Sequence, residues 1–199
     1  YGKTSMKEYL LHVLSAGLEV AATPQNKNAL ISVAHLASKL TNEEEMIIIE
    51  FGEEQPGDIA KFASLTSPTH AVVTGAAPVH METYKNLQTL IDDIASIKSF
   101  VRTNQIYYNA ENTILTSNLT DCMQYSSTSV LGWKIDNTKI SIEGTSFRMK
   151  KGTDAISISV PQIGRHNIGP IAFVVAFALS LGIPTSAITN ALTKLKVYE

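Results

Sequence analysis

At 199 residues, with 44% hydrophobic and 17% charged side chains, the chain has enough apolar material for one full α/β domain. Its formal net charge of -2, with no basic cluster longer than Lys150-Lys151, excludes a nucleic-acid binder that works by bulk electrostatics. The single Cys122 excludes an internal disulfide and a cysteine-rich zinc site, and its ordinary role is that of a small, partly buried apolar residue.

No apolar run reaches membrane-spanning length, because the stretch over residues 168–183 is short and carries Gly169, Pro170 and Ser180. No signal peptide is evident. These features predict a soluble, cytoplasmic, monomeric protein with neither nucleic acid nor membrane as a partner.

The first residues carry the strongest chemical signal. Gly2-Lys3-Thr4-Ser5 runs straight into Met6-Lys7-Glu8-Tyr9-Leu10-Leu11. Gly-Lys-Thr opening an amphipathic helix is the back half of a phosphate-binding loop, in which backbone N–H groups and the helix N-terminus favour phosphate oxygens. In that arrangement Lys3 reaches the β/γ-phosphates and the Thr4 hydroxyl ligates Mg²⁺. The plainer alternative is a helix start with Thr4 or Ser5 as its N-cap. The front half of the motif is missing, so the chain is expected to be part of a longer protein.

Periodicity predicts a helix over residues 4–18, with Met6, Tyr9, Leu10, Val13 and Leu14 on one face and Gly17 at its end. A short extended piece over residues 20–24 ends at Pro24. Polar Gln25-Asn26-Lys27-Asn28 leads into a helix over residues 29–40. Glu43-Glu44-Glu45 reads as a solvated turn. Met46-Ile47-Ile48-Ile49-Glu50-Phe51 is a continuous apolar run and predicts a parallel strand covered on both faces. Glu50 at its C-terminal end sits where ligands gather in parallel α/β sheets, which makes it a candidate Mg²⁺ ligand.

A helix is expected from Gly57-Asp58 to Leu65 and a buried strand over residues 68–74. The following loop delivers His80 to the same rim as Glu50. His12, His35 and His70 read as structural histidines. A long amphipathic helix is predicted over residues 86–102, a strand over 105–109 and a short helix over 118–125. The pattern then becomes that of an antiparallel meander, with strands over 130–135, 139–143, 146–150 and 155–160. Asp136-Asn137, Gly144 and Lys151-Gly152 are read as its turns. Two helices close the chain, over residues 169–181 and from Pro184 through Lys196. The fold expected is α/β: a mostly parallel sheet flanked by helices, of the P-loop NTPase kind, with a small antiparallel subdomain.

These landmarks, in this order, resemble the central ATPase domain of the Mur ligases. The resemblance rests on Gly2-Lys3-Thr4-Ser5-Met6-Lys7-Glu8, on Ala22-Thr23-Pro24-Gln25-Asn26-Lys27-Asn28 and on Ile48-Ile49-Glu50-Phe51-Gly52 with Pro56-Gly57-Asp58-Ile59-Ala60. It continues in Pro78-Val79-His80-Met81-Glu82, Asn109-Ala110-Glu111-Asn112 and Gly164-Arg165-His166-Asn167-Ile168. The Thr-Pro-x-Asn-x-Asn stretch is similar to the branch that adds D-alanyl-D-alanine.

The resemblance implies roles. Gly2, Lys3, Thr4 and Ser5 would bind ATP phosphates. Thr4 and Glu50 would hold one Mg²⁺ and His80 a second. Thr23, Asn26 and Asn28 would face a UDP-MurNAc-peptide, and His166 and Asn167 would lie against adenine. Lys3, Glu50 and His80 would carry an ATP-dependent amide ligation through an acyl-phosphate. N- and C-terminal domains outside this chain would complete the site.

The sequence also departs from the family pattern at Gly75, Ala29, Ser32 and Pro170. The family's carbamylated lysine falls near Ile94, where this chain has none; Lys98 takes that role only if the helix register differs, and otherwise is a surface lysine. Two alternatives therefore stay open: a Mur-ligase-like nucleotide-binding module with lost or altered ligation, and a different P-loop phosphotransferase.

Overall fold

The computed structural model describes residues 2–196. They divide into two compact units. The first holds residues 2–3, 23–39 and 49–124, and the second residues 4–22, 40–48 and 125–196. The class is α/β, as expected, with two pairs of parallel strands.

Helix α1 spans Lys3–Leu14, starting one residue before and ending four residues before the predicted span. Its apolar stripe is as predicted: Met6, Tyr9, Leu10, Val13 and Leu14 are all buried. The chain then turns at Gly17, whose N–H bonds Leu14 O at 3.0 Å. A Cβ there would lie 3.1 Å from Ile183, so a larger residue would crowd the turn.

In the first unit, α2 (Leu30–Ala37) begins after Ala29, which offers no side-chain cap. Helix α3 (Asp58–Thr66) packs against α5 (Leu87–Ala95). Strands β3 (Ala71–Val73) and β4 (Ile106–Asn109) pair in parallel, Ala71 opposite Ile106. Two apolar clusters fix this unit. One gathers Tyr84, Leu90, Ile94, Tyr108, Leu115 and Leu119; the other gathers Ile59, Ala63, Ile97, Val101 and Ile106.

The predicted helix over residues 86–102 is shorter. It is α5 followed by a 3-10 turn, Ser96–Ser99. The Asn86 side chain caps α5 by accepting from Thr89 N at 2.9 Å. The helix predicted over residues 118–125 is not there. Instead α6 spans Thr113–Thr116, and Met123–Tyr125 is strand β5.

In the second unit, β1 (Val20–Ala22) and β2 (Met46–Ile48) form a two-stranded parallel sheet. The prediction of a β2 covered on both faces fails: it is three residues long and Ile47 is exposed. Four antiparallel strands follow Tyr125, the last residue of β5: β6 (Ser129–Val130), β7 (Trp133–Ser141), β8 (Gly144–Lys151) and β9 (Asp154–Val160). The expected turn at Asp136-Asn137 is a bulge within β7, where the register slips between Asp136 and Lys139 and Asn137 takes φ 52°. The true turn is Ile142-Glu143, because Ser141 pairs with Gly144.

Period-two burial in β9 sets Ile156, Ile158 and Val160 inward and Ser157 and Ser159 outward. The sheet is covered by α7 (Ile168–Ser180) and α8 (Thr185–Thr193), α7 on β6 and β8, α8 on β9. Phe173 of α7 lies 5.2 Å from the Tyr125 ring.

Candidate active site around Lys3 and Glu50

Gly2 has φ 71°, a left-handed backbone conformation that glycine adopts without penalty. It turns the chain into α1, so that Lys3 is the first helical residue. Thr4 and Ser5 occupy the same first turn. The first turn of a helix offers N–H groups without an intrahelical partner and the positive end of the helix dipole, both favourable to phosphate.

The Lys3 ammonium does not stand free. It forms a 2.5 Å ion pair with Glu53 Oε1, and only 28% of the lysine side chain and 11% of the glutamate side chain are exposed. Glu53 lies in the loop after Glu50 and was not among the residues expected to matter. The available signal was an acidic residue three positions past a strand-end carboxylate.

Glu50 lies two residues beyond the end of β2 and is only 5% exposed. Its backbone N–H donates to Thr23 Oγ1 at 3.1 Å, and Thr23 is 1% exposed. The next loop residues are held just as closely: a Cβ on Gly52 would meet Asn28 O at 2.6 Å, a distance no side chain tolerates. The structure therefore brings together Thr23, Asn28, Glu50 and Gly52. Thr23 holds the Glu50 backbone, and Asn26 stands at the surface.

Asp93 and Tyr84 brace the far end of this loop. Asp93 is buried; Oδ1 accepts from Gly57 N at 2.8 Å and Oδ2 from the Tyr84 hydroxyl at 2.8 Å. The same hydroxyl lies 3.0 Å from Gln55 O. Burial, and then the bonded and charged Asp93, push the Tyr84 phenol far above its ordinary range, so it stays a proton donor. Asp58 Oδ2 accepts from Glu54 N and Gln55 N.

His80 takes φ 55° at the N-cap of α4 (Met81–Tyr84). Histidine is among the few side chains that enter this region readily. Its ring is open to solvent, with Nδ1 3.9 Å from the exposed Glu82 carboxylate. Ile94, the position expected for a carbamylated lysine, is buried in the apolar cluster of α5. Lys98 pairs with Asp121 at 2.7 Å, and that hydrogen bond raises its pKa. Carbamylation needs a neutral amine, so this pairing works against it.

In the second unit, His166 is exposed and its ring folds back toward Gly164. Asn167 is engaged at both ends: Oδ1 accepts from the Tyr9 hydroxyl at 3.0 Å and Nδ2 donates to Ile163 O at 3.1 Å. Pro170 sits in the first turn of α7, where no helical N–H bond is lost.

Among the described residues, no three His, Cys, Asp or Glu side chains converge as a metal cage. Mg²⁺ typically takes one or two protein oxygens together with phosphates and water. A buried carboxylate such as Glu50 is a donor of that hard-oxygen kind.

The Mur ligase middle-domain family model matches residues 1–178. The UDP-N-acetylmuramoyl-tripeptide--D-alanyl-D-alanine ligase of Escherichia coli (strain K12) is 30% identical over 98% of this chain and 45% of its own length. The Bacillus subtilis (strain 168) protein of the same name is 23% identical over 98% of this chain and 43% of its own. The chain thus spans less than half the length of these relatives. A crystal structure of MurF from Acinetobacter baumannii superposes over 100% of this chain and 45% of that one, with a TM-score of 0.84 at 18% identity. MurF ligase from Thermotoga maritima in complex with ADP superposes over 100% of this chain and 47% of that one, with a TM-score of 0.79 at 18% identity. With the family model covering most of its length, the chain belongs to the Mur ligase family, as a middle domain.

Proposed function

We propose that the protein carrying this chain is an ATP-dependent amide ligase that adds D-alanyl-D-alanine to a UDP-MurNAc-peptide in peptidoglycan precursor synthesis. The observation that carries the reading is the pairing of a left-handed Gly2 and helix-opening Lys3 with a loop that buries Glu50 and holds Glu53 on Lys3. The names of the relatives support the substrate class.

In this reading the γ-phosphate of ATP lies at the start of α1, where Lys3 and the first-turn N–H groups neutralise its charge. Thr4 and Glu50 would hold Mg²⁺, which supplies charge neutralisation when bound, and His80 would serve a second ion. Thr23 keeps the Glu50 backbone in place, while Asn26 and Asn28 face the nucleotide-sugar peptide. His166 and Asn167 belong to the adenine side, His166 through its ring and Asn167 by shaping the turn.

The peptide's terminal carboxylate oxygen bonds to the γ-phosphorus as the bond to ADP breaks, giving an acyl phosphate. The amine of D-alanyl-D-alanine then attacks the acyl carbon, phosphate leaves and the amine gives up a proton. The N- and C-terminal domains expected of the whole protein would close the site.

The test is phosphate release by the intact natural protein from ATP and Mg²⁺. Release is expected only with both the UDP-MurNAc-peptide and D-alanyl-D-alanine. A second reading, a nucleotide-binding module with altered ligation, is favoured by the buried Ile94 and the paired Lys98. It predicts nucleotide binding without such release.

A further inference from the structure

Four observations converge on Glu53. Its carboxylate sits on the Lys3 ammonium at 2.5 Å, in a half-buried place where charges are poorly screened. Its loop is pinned on both sides: Gly52 is pressed against Asn28 O, and Glu54 N and Gln55 N are held by Asp58. Gly57 N is held by Asp93, and the Tyr84 hydroxyl lies 3.0 Å from Gln55 O. Glu53 is thus carried by a braced backbone, while Lys3 has a flexible four-carbon stem. A carboxylate carries the same sign of charge as a phosphate, so the two repel each other and compete for the one ammonium.

We propose that Glu53 is a tethered counter-ion for Lys3, which holds the ammonium in the nucleotide-free protein and is exchanged for the terminal phosphates when a nucleotide binds. The proposal rests on the reading that phosphates bind at Lys3, and adds a residue that sets how tightly they do. Breaking the Lys3–Glu53 pair is a cost that every incoming nucleotide meets. Removing the charge of Glu53 while keeping its shape lowers that cost.

The experiment measures binding of ADP and of ATP with Mg²⁺ to the intact natural protein by titration calorimetry, for wild type, Glu53→Gln, Glu53→Asp and Lys3→Ala, each checked for its thermal transition. Glu53→Gln is expected to bind nucleotide three- to tenfold more tightly, with a smaller gain for Glu53→Asp, which keeps the charge but shortens the reach. Lys3→Ala is expected to weaken binding at least tenfold. If Lys3→Ala weakens binding while both Glu53 variants bind as wild type or worse, phosphate does bind at Lys3 and the counter-ion role is overturned. If Lys3→Ala binds as wild type, phosphates do not bind at Lys3, and the counter-ion proposal falls with that reading.

Discussion

The backbone N–H of Glu50 donates to the Thr23 hydroxyl at 3.1 Å, joining two loops that lie 27 residues apart in the chain. Both residues are almost wholly buried. A buried N–H deprived of its acceptor costs about 1–3 kcal/mol. Thr23→Val keeps the shape and removes the acceptor. It is expected to lower the unfolding free energy by about that much and to reduce turnover more than it raises KM for ATP. Thr23→Ser, which restores the oxygen, is expected to recover most of both. Denaturant unfolding and steady-state kinetics read the two effects.

Gly52 is the second point where these loops meet. A methyl group there would stand 2.6 Å from Asn28 O, so either loop must move. Gly52→Ala is expected to raise KM for the UDP-MurNAc-peptide and to cost about 1–3 kcal/mol of stability, the usual range for overpacking. An unchanged KM would place Asn28 away from the substrate.

Tyr84 ties Asp93 to the Gly57 loop through a single hydroxyl. Tyr84→Phe leaves a buried carboxylate oxygen short of a donor. The expected loss is about 1–3 kcal/mol, in the range for an unsatisfied buried acceptor. The change in hydrogen exchange should concentrate at the amides of Gln55 and Gly57. A loss spread evenly over the chain would mean the brace is not local.

Acid sensitivity should be traceable to His70. Burial pushes its pKa below the ordinary value, and its ring lies parallel to that of Tyr107, 6.3 Å away. The unfolded chain therefore takes up the His70 proton at higher pH than the folded one. The contribution to stability is complete above about pH 6.5 and is lost as pH falls through the folded pKa. His70→Phe keeps a flat ring against Tyr107. It should flatten the fall of stability with pH below about 6.5, measured by chemical unfolding at several pH values.

Much of this was legible in the chain itself. Helical periodicity marks α1, and a Gly-Lys-Thr start makes sense of Lys3 because glycine supplies the left-handed turn. The paired loops at Thr23 and Glu50 could be named as candidates from their types and order. What joins them could not. Glu53 meets Lys3 across 50 positions and Asp93 meets Gly57 across 36, and no local pattern encodes such pairings. The bulge in β7 was hidden for a related reason: Asp136-Asn137 has the composition of a turn, and the sheet absorbs it because β8 continues to pair on both sides. Asn167 read as a ligand side chain by its place in the motif, whereas both of its polar ends serve the fold.

ATP-driven ligation is tested most directly by phosphate release by the intact natural protein with ATP and Mg²⁺. Release is expected to require both the UDP-MurNAc-peptide and D-alanyl-D-alanine, and to drop at least a hundredfold in Lys3→Ala. Nucleotide binding with no release under any substrate combination, or release unaffected by Lys3→Ala, would contradict it.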